Sequence, residues 1–309
     1  MASGNQTSVT LFILQSFTDD PWLRAALFCL FLALFAVALA GNGLIIAAIR
    51  CSPNLHTPMY FFLVNLAMLD MICTLSILPK VLQSLVGEST ITFWGCLSQM
   101  FFFTWSLSSE LLLFTAMAYD RYLAICRPLH YGALMSVRVC LTLAVFVWST
   151  GTLTAFVLTG LVLRLSFCGP QLIAHFFCEI PPVLLLSCSP TFINNVTTMV
   201  ADMFFSGMNF LLTMTSYGFI IASILRIRSA EGKRRAFSTC SSHLVVVSVY
   251  YSTVLYTYIR PGLGSAGLLD KAVAVLYTIV TPTLNPLIYT LRNKEFKASL
   301  RKLLLFFTK

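Results

Sequence analysis

Of the 309 residues in the chain, 58% are hydrophobic and 10% are charged, whereas soluble globular domains carry about 25% charged residues. This composition excludes an ordinary soluble enzyme or binding domain and indicates one domain embedded in membrane lipid. The net charge of +9 would suit nucleic acid, but the basic residues stand in short segments between apolar runs, so no nucleic-acid partner is expected.

Seven apolar runs are long enough to cross the roughly 30 Å hydrocarbon layer as helices. They cover residues 23–50, 57–85, 93–127, 137–163, 193–228, 235–259 and 268–291. Pro79 in the second run, and Pro282 and Pro286 in the seventh, predict kinks rather than helix ends. The sequence therefore predicts an all-α membrane protein: an N-terminal tail (1–22), a seven-transmembrane helix bundle (23–291) and a cytoplasmic segment (292–309).

The basic residues predict the orientation of the bundle. Of the 20 Lys and Arg residues, five fall on the side of the N-terminus and 15 on the opposite side. Because cytoplasmic loops carry the excess of positive charge, we expect the N-terminus outside and the C-terminus in the cytoplasm. The sequon Asn5-Gln6-Thr7 agrees, since only an extracellular or lumenal tail can be glycosylated at Asn5.

A short amphipathic segment follows the seventh run. Between Lys294 and Phe307, apolar residues recur at helical spacing with basic residues between them. This pattern predicts an eighth helix on the inner leaflet, with its apolar face in lipid and its basic face toward anionic headgroups. A frayed polar tail is the alternative.

Four of the ten cysteines fall where oxidation is allowed, on the predicted outer side. Cys96 opens the third run, and Cys168, Cys178 and Cys188 lie in the long second outer loop. Two disulfides are therefore expected, and the spacing leaves three connectivities open. The other six cysteines are expected to be free thiols.

Three acidic residues, Asp70, Glu110 and Asp202, lie within apolar runs, where a charge costs at least about 2.5 kcal/mol. They are the first functional candidates. Asp70 and Glu110 can meet Asn285 at mid-membrane around a bound cation such as sodium, or the two carboxylates can share a proton. The residues alone leave both interpretations open.

A further set of residues, on the third, fifth and sixth runs, can line an apolar cavity with a few hydroxyl groups. Such a lining is usual for small-ligand pockets. The set comprises Phe103, Thr104, Leu107, Ser108, Leu111, Asp202, Phe205, Ser206, Tyr251, Val254, Leu255 and Tyr258. Aromatic stripes at this spacing are also typical of plain helix packing.

The triplet Asp120-Arg121-Tyr122 ends the third run on the cytoplasmic side. There an arginine can reach water or pair with its neighbouring acid, and the triplet also fits simple interfacial anchoring. His243, in the cytoplasmic half of the sixth run, fits either a hydrogen-bonded structural residue or a switch.

Six short motifs are spread along almost the whole chain. They are GN at 41–42, LHTPMYFFL at 55–63 leading to Asp70, MAYDRYLAIC at 117–126, SY at 216–217, RAFSTCSSH at 235–243 and PTLNPLIY at 282–289. In sequence, order and spacing they resemble the signatures of the olfactory (odorant) receptors, a rhodopsin-like G-protein-coupled family, in its class II (tetrapod) type. One departure is Arg235, which stands where that family usually carries Lys.

The resemblance implies residue roles that the spacing does not. It implies disulfides Cys96–Cys178 and Cys168–Cys188, and a sodium ion at Asp70 and Glu110. Arg121 falls where such receptors couple to a G protein, flanked by Asp120 and Tyr122. Tyr217 and Tyr289 fall where hydroxyl groups of such receptors gather around that arginine on activation. We also expect activation roles for His243, Asn285 and Pro286.

The resemblance also implies a plasma-membrane protein that is not an enzyme. It would bind small volatile odorants and activate the olfactory stimulatory G protein, which raises cyclic AMP. A non-olfactory receptor for an amine or other small ligand is the alternative. Asp202, if it faces the pocket ionised, would favour a cationic ligand, although Phe103 stands where biogenic amine receptors carry an acid. A transporter or proton pump is a rival, weakened by the lack of an internal repeat.

Overall fold

The computed structural model describes residues 10–259, 267–292 and 296–301. Its helices are α1 (Pro21–Cys51), α2 (Pro58–Leu85), α3 (Phe93–Cys126), α4 (Tyr131–Leu134), α5 (Val137–Val162), α6 (Ile180–Leu184), α7 (Phe192–Asp202), α8 (Asn209–Arg226), α9 (Ala230–Ile259), α10 (Leu268–Val275) and α11 (Thr281–Arg292). The strands are β1 (Leu11–Leu14), β2 (Thr90–Thr92) and β3 (Leu172–Ile173). Long helices thus form a bundle, with a small sheet at one end.

Within the described residues, five helices are long and apolar enough to cross a membrane. They are Pro21–Cys51, Pro58–Leu85, Phe93–Cys126, Val137–Val162 and Phe192–Arg226. The 30-residue α9 and the helical stretch 268–292 pack against them. The helix-bundle class predicted from the sequence is therefore confirmed.

The helix boundaries agree with the apolar runs to within a few residues, except for the sixth run. That run was predicted to begin at 235, but α9 begins at Ala230. The additional turn contains charged residues, which favour helix formation but are not counted in an apolar run. α2 continues through Pro79 and α11 through Pro286, as predicted.

Local chemistry accounts for the starts of several helices. The Asp20 carboxylate accepts hydrogen bonds from the first free amides of α1, including Trp22 N at 2.8 Å. Thr92 caps α3 by accepting from Gly95 N at 3.0 Å, and Pro58 occupies the first turn of α2. The first turn of a helix leaves its backbone N–H groups without partners. Asp and Thr side chains accept hydrogen bonds from these groups, and Pro has no N–H group to leave unpaired.

Two π-helical segments interrupt the bundle, Met203–Met208 between α7 and α8 and Leu276–Val280 between α10 and α11. A π turn frees a backbone carbonyl from its usual partner. In each case a polar side chain five residues later donates to such a carbonyl: Asn209 to Phe204 O at 3.2 Å, and Thr281 to Leu276 O at 2.9 Å. These local bonds stabilise the π geometry.

A cap covers one end of the bundle, which we call the disulfide end because it carries Cys96–Cys178 and Cys168–Cys188. The structure thus has both pairings that the resemblance implies. β1 lies at the centre of the cap, antiparallel to β2 and parallel to β3. The sequence predicted only a tail over 1–22, so this strand was missed; Asn5 lies outside the described residues.

The predicted eighth helix is described in part. Residues 296–301 are helical, and Phe296 is buried against the bundle core, with Leu300 packed beside it. The rest of the predicted segment lies outside the described residues.

Candidate functional site

A cavity of about 300 Å³ lies inside the bundle near the disulfide end. Side chains of α3, α5, α7, the two π segments and the loop after Cys178 enclose it. Its lining residues are Phe103, Thr104, Leu107, Ser108, Leu111, Leu158, Glu179, Ile180, Pro181, Thr198, Ala201, Asp202, Phe205, Ser206 and Tyr277. The walls are mainly apolar with a few polar groups, which is the usual character of a small-molecule site.

Eight of the twelve residues predicted to bind ligand line this cavity: Phe103, Thr104, Leu107, Ser108, Leu111, Asp202, Phe205 and Ser206. Tyr251 is not part of the lining; its ring packs edge-on against Phe210, with ring centroids 5.2 Å apart. The side chains of Val254, Leu255 and Tyr258 lie outside the described part of the structure.

Glu179 is a cavity residue that the sequence analysis did not select. It stands in the loop immediately after Cys178, at the start of α6, and the Tyr277 hydroxyl donates to its Oε1 at 3.3 Å. Burial raises the pKa of Glu179 to about 7, and the Asp202 carboxylate adds to that rise, while the Tyr277 hydrogen bond opposes it. Two carboxyl groups therefore line one cavity.

The loop that carries Glu179 is fixed to the bundle at several points. Gln99 of α3 accepts from Cys178 N at 2.8 Å and donates to Ser76 O of α2 at 2.9 Å. His175 is buried and stacks on Phe176 with ring centroids 4.6 Å apart. Burial, and then the Lys271 charge, lower the pKa of His175 to about 4, so the imidazole is neutral at physiological pH.

Below the cavity, Asp70 and Glu110 are both buried between the helices. Asn285 Nδ2 donates to both carboxylate oxygens of Asp70 at 3.0 Å, so α2 and α11 meet as predicted. Glu110 Oε1, Asn285 Oδ1 and Thr74 Oγ1 are buried and have no hydrogen-bond partner among the described residues. A set of oxygen atoms of this kind suits a hard cation.

At the opposite end of α3, Arg121 is paired with its neighbour Asp120. Arg121 Nε donates to Asp120 Oδ2 at 2.9 Å, and a second guanidinium nitrogen donates to the same oxygen. The Tyr131 hydroxyl of α4 donates to the other carboxylate oxygen at 2.7 Å. Asp120 is fully buried, so the two donors compensate for its loss of water.

Comparisons with known proteins agree with this arrangement. The sequence model of the olfactory receptor family matches residues 28–306. The chain belongs to the olfactory receptor family. Among its relatives, human olfactory receptor 13A1 is 57% identical over 98% of this chain and 93% of its own length. Human olfactory receptor 13G1 is 54% identical over 98% of this chain and 99% of its own length.

Membership of this family makes the chain a multi-pass membrane receptor and not an enzyme. The receptor has further contacts at the Arg121 end of the bundle. Tyr217 Oη of α8 lies 2.6 Å from His243 Nδ1 of α9, and the two rings stack with centroids 5.7 Å apart. The Tyr122 ring packs near Phe219, with centroids 6.0 Å apart.

At the middle of the receptor, Pro286 lies directly against Gly41 of α1. A Cβ added at Gly41 would stand 3.0 Å from Pro286 Cβ, so glycine permits this close approach. The Tyr289 and Arg235 side chains lie outside the described part of the structure. Sequence reasoning missed Gln99, Glu179, Tyr131 and Tyr277, because their roles arise from contacts between distant segments.

Proposed function

We propose that this receptor binds small odorants in the cavity near the disulfide end and activates the olfactory stimulatory G protein, which raises cyclic AMP. The observation that carries the proposal is the mainly apolar cavity of about 300 Å³ in a chain of this family. A cavity of that size fits a small volatile molecule. Few contacts are available to so small a ligand, so its affinity would be modest.

In the proposed receptor, seven helices cross the plasma membrane, with the disulfide end outside and Arg121 at the cytoplasmic face. The excess of basic residues near the Arg121 end supports this orientation. Formation of Cys96–Cys178 and Cys168–Cys188 also fits an extracellular disulfide end, where oxidation is allowed.

Activation would proceed by a shift between two arrangements of the bundle. The described arrangement holds Arg121 against Asp120 and holds α8 against α9 through Tyr217 and His243. An agonist that binds more tightly to an arrangement with α8 and α9 displaced would expose Arg121 to the G protein. Only this difference in affinity makes a ligand an agonist.

Asp70 and Glu110 would hold a sodium ion in the resting receptor. The unpartnered oxygens of Glu110, Asn285 and Thr74 support this assignment, because sodium takes oxygen ligands. Sodium should then raise the melting temperature of the purified receptor, and Glu110→Gln should remove the increase. A carboxyl pair that shares a proton would give no dependence on sodium.

The test of the function is cyclic AMP in cells that express the full chain with the olfactory stimulatory G protein. A panel of neutral, acidic and amine odorants is applied to the native receptor, to Arg121→Ala and to the control Arg138→Ala, which changes an exposed arginine of α5. We expect at least one odorant to raise cyclic AMP in the native receptor and in the control. Arg121→Ala should abolish the response at equal surface expression; a response that survives would overturn the coupling role.

A further inference from the structure

The cavity has an asymmetric charge. Glu179 and Asp202 both line it, and the described lining contains no lysine, arginine or histidine. The Asp202 side chain comes from the end of α7, whereas Glu179 comes from the disulfide-bonded loop. Two separate elements thus bring acids to one cavity, which favours a cation over a neutral molecule or an anion.

The hydroxyl groups of α3 give a second and independent indication of a ligand. Thr104 and Ser108 are one helical turn apart, line the cavity and are 7% and 6% exposed. Neither hydroxyl forms a side-chain hydrogen bond with another described residue, although Ser106, which points elsewhere on the same helix, bonds to Phe103 O at 2.9 Å. Buried hydroxyls normally have a partner, so these two are placed to bind a polar group in the cavity.

We propose that Glu179 and Asp202 form an ammonium-binding subsite, and that this receptor responds to small alkyl amines whose hydrocarbon part packs on the apolar wall. The inference rests on the proposed odorant function and names its ligand class. Phe103, Leu107 and Phe205 provide the apolar wall beside the two acids. Tyr277 holds Glu179 in place through its hydroxyl and acts as a positioning residue.

An alkylammonium group complements this site in both charge and hydrogen bonding. It carries three donors and no acceptor, whereas ionised carboxylates only accept. The two acids and a hydroxyl of α3 can each take one of the donors. A carboxylic acid ligand would place a further negative charge beside Glu179 and Asp202, and an alcohol offers one donor and no charge.

The experiment uses three probes built on the same cyclohexyl ring: cyclohexylamine, cyclohexanol and cyclohexanecarboxylate. Each is tested on the full receptor for cyclic AMP and, without any G protein, for the increase in melting temperature of the purified protein. The variants are Glu179→Gln and Asp202→Asn, which keep size and remove charge. Glu179→Asp keeps the charge, and Glu88→Gln removes an exposed acid outside the cavity.

We expect cyclohexylamine to raise both the melting temperature and cyclic AMP at lower concentration than the two other probes. Glu179→Gln and Asp202→Asn should each weaken this amine response roughly tenfold or more, the usual effect of removing a charged hydrogen-bond partner. Glu179→Asp should restore part of it, and Glu88→Gln should equal the native receptor. Melting temperatures without probe identify any variant that fails to fold.

The two proposals fail in different ways. If neutral odorants raise cyclic AMP but cyclohexylamine shifts neither signal, the ammonium subsite is wrong and the odorant function stands. The subsite is also wrong if both charge-removing variants keep the native amine response. If cyclohexylamine raises the melting temperature through Glu179 and Asp202 while no odorant raises cyclic AMP, the subsite stands and the coupling is wrong.

Discussion

Tyr131 gives the buried Asp120 carboxylate a donor that does not depend on Arg121. Burial, and then the charge of Asp120, raise the pKa of Tyr131 above its ordinary value, so the phenol remains protonated and donates. In the activation proposed above, Arg121 would leave Asp120 and this hydroxyl would still satisfy one carboxylate oxygen. Tyr131 would then lower the free-energy cost of activation.

We predict that Tyr131→Phe weakens agonist potency by roughly two- to tenfold, the usual effect of losing one net hydrogen bond. Concentration-response curves for cyclic AMP measure the change. Tyr119→Phe is the matched control, because Tyr119 is an exposed tyrosine two residues before Arg121. Higher basal activity in Tyr131→Phe would contradict the argument, since it would mean that the hydroxyl stabilises the resting state.

The pKa of Glu179 predicts that amine potency depends on extracellular pH. With a pKa of about 7, its ionised fraction rises from about one tenth at about pH 6 to about nine tenths at about pH 8. Burial is the main cause of this raised pKa; the Tyr277 hydrogen bond lowers it and the Asp202 charge raises it. Alkyl amines, with pKa values near that of lysine, stay charged throughout.

Cyclohexylamine should consequently be more potent at the higher pH, by up to about tenfold, and Glu179→Gln should remove most of this dependence. His175, with a pKa of about 4, does not titrate in this range. A native pH profile that is flat, or unchanged by Glu179→Gln, would show that the carboxyl group of Glu179 does not bind the amine.

The sequence predicts the functional importance of some residues and misses that of others. Asp70, Glu110 and Asp202 were selected because a charge inside an apolar run is costly, whereas Arg121 was selected from its triplet and the family resemblance. Glu179 gave no such signal, since an acid in a loop between apolar runs is ordinary. The Cys96–Cys178 link and the Gln99 hydrogen bond, both at the residue before it, bring it over the cavity.

At the scale of elements, α3 and α5 approach closely at Gly151. A Cβ added there would stand 2.0 Å from Ser109 Oγ and 3.2 Å from the backbone oxygen of Trp105. The serine side chain can rotate away, but the backbone oxygen cannot. We predict that Gly151→Ala lowers the free energy of unfolding by about 1 to 3 kcal/mol, the usual cost of overpacking.

The melting temperature of the purified receptor measures this loss, and a second change locates its cause. Ser109→Ala, combined with Gly151→Ala, should recover part of the stability because it removes the nearer atom. Gly160→Ala on the same helix should cost nothing, since no atom lies within 4 Å of its added Cβ. Equal losses in Gly151→Ala and Gly160→Ala would rule out close packing as the reason.

The helices themselves were predictable, because apolar length alone marks a membrane span. Their interruptions were not. The π segments at Met203–Met208 and Leu276–Val280 depend on Asn209 and Thr281. An Asn or Thr within a helical run does not by itself indicate a π segment. Both segments border the cavity. The sequence identified the lining residues of α3 and those of the first π segment, but only Asp202 of α7, and it missed Tyr277 in the second π segment.

For the molecule as a whole, the cap is the part that sequence patterns predicted least. β1 is a four-residue strand whose partners lie 77 to 81 residues away in β2 and 159 residues away in β3, and local periodicity does not reveal such pairing. Its Phe12 and Leu14 are buried beneath the loop of Cys178. The tail therefore packs on the loop that, together with the bundle, lines the cavity.

The two disulfides of the cap should differ in their effect on stability and on ligand response. Cys96–Cys178 closes a segment of 82 residues and Cys168–Cys188 one of 20. Chain entropy then gives about 4.5 and about 3.3 kcal/mol, both upper bounds here because inserted helices restrict the unfolded chain. The longer link also holds Glu179, through its neighbour Cys178, over the cavity.

We therefore predict that replacing Cys96 and Cys178 together by alanine lowers both the melting temperature and amine potency. Replacing Cys168 and Cys188 together should lower the melting temperature but leave potency near native, because Gln99 and the longer disulfide still fix the loop. Pairwise replacement avoids unpaired thiols, and surface expression is measured in parallel. Equal loss of potency in both double variants would mean that the whole loop, rather than the attachment of Glu179 to α3, shapes the ligand site.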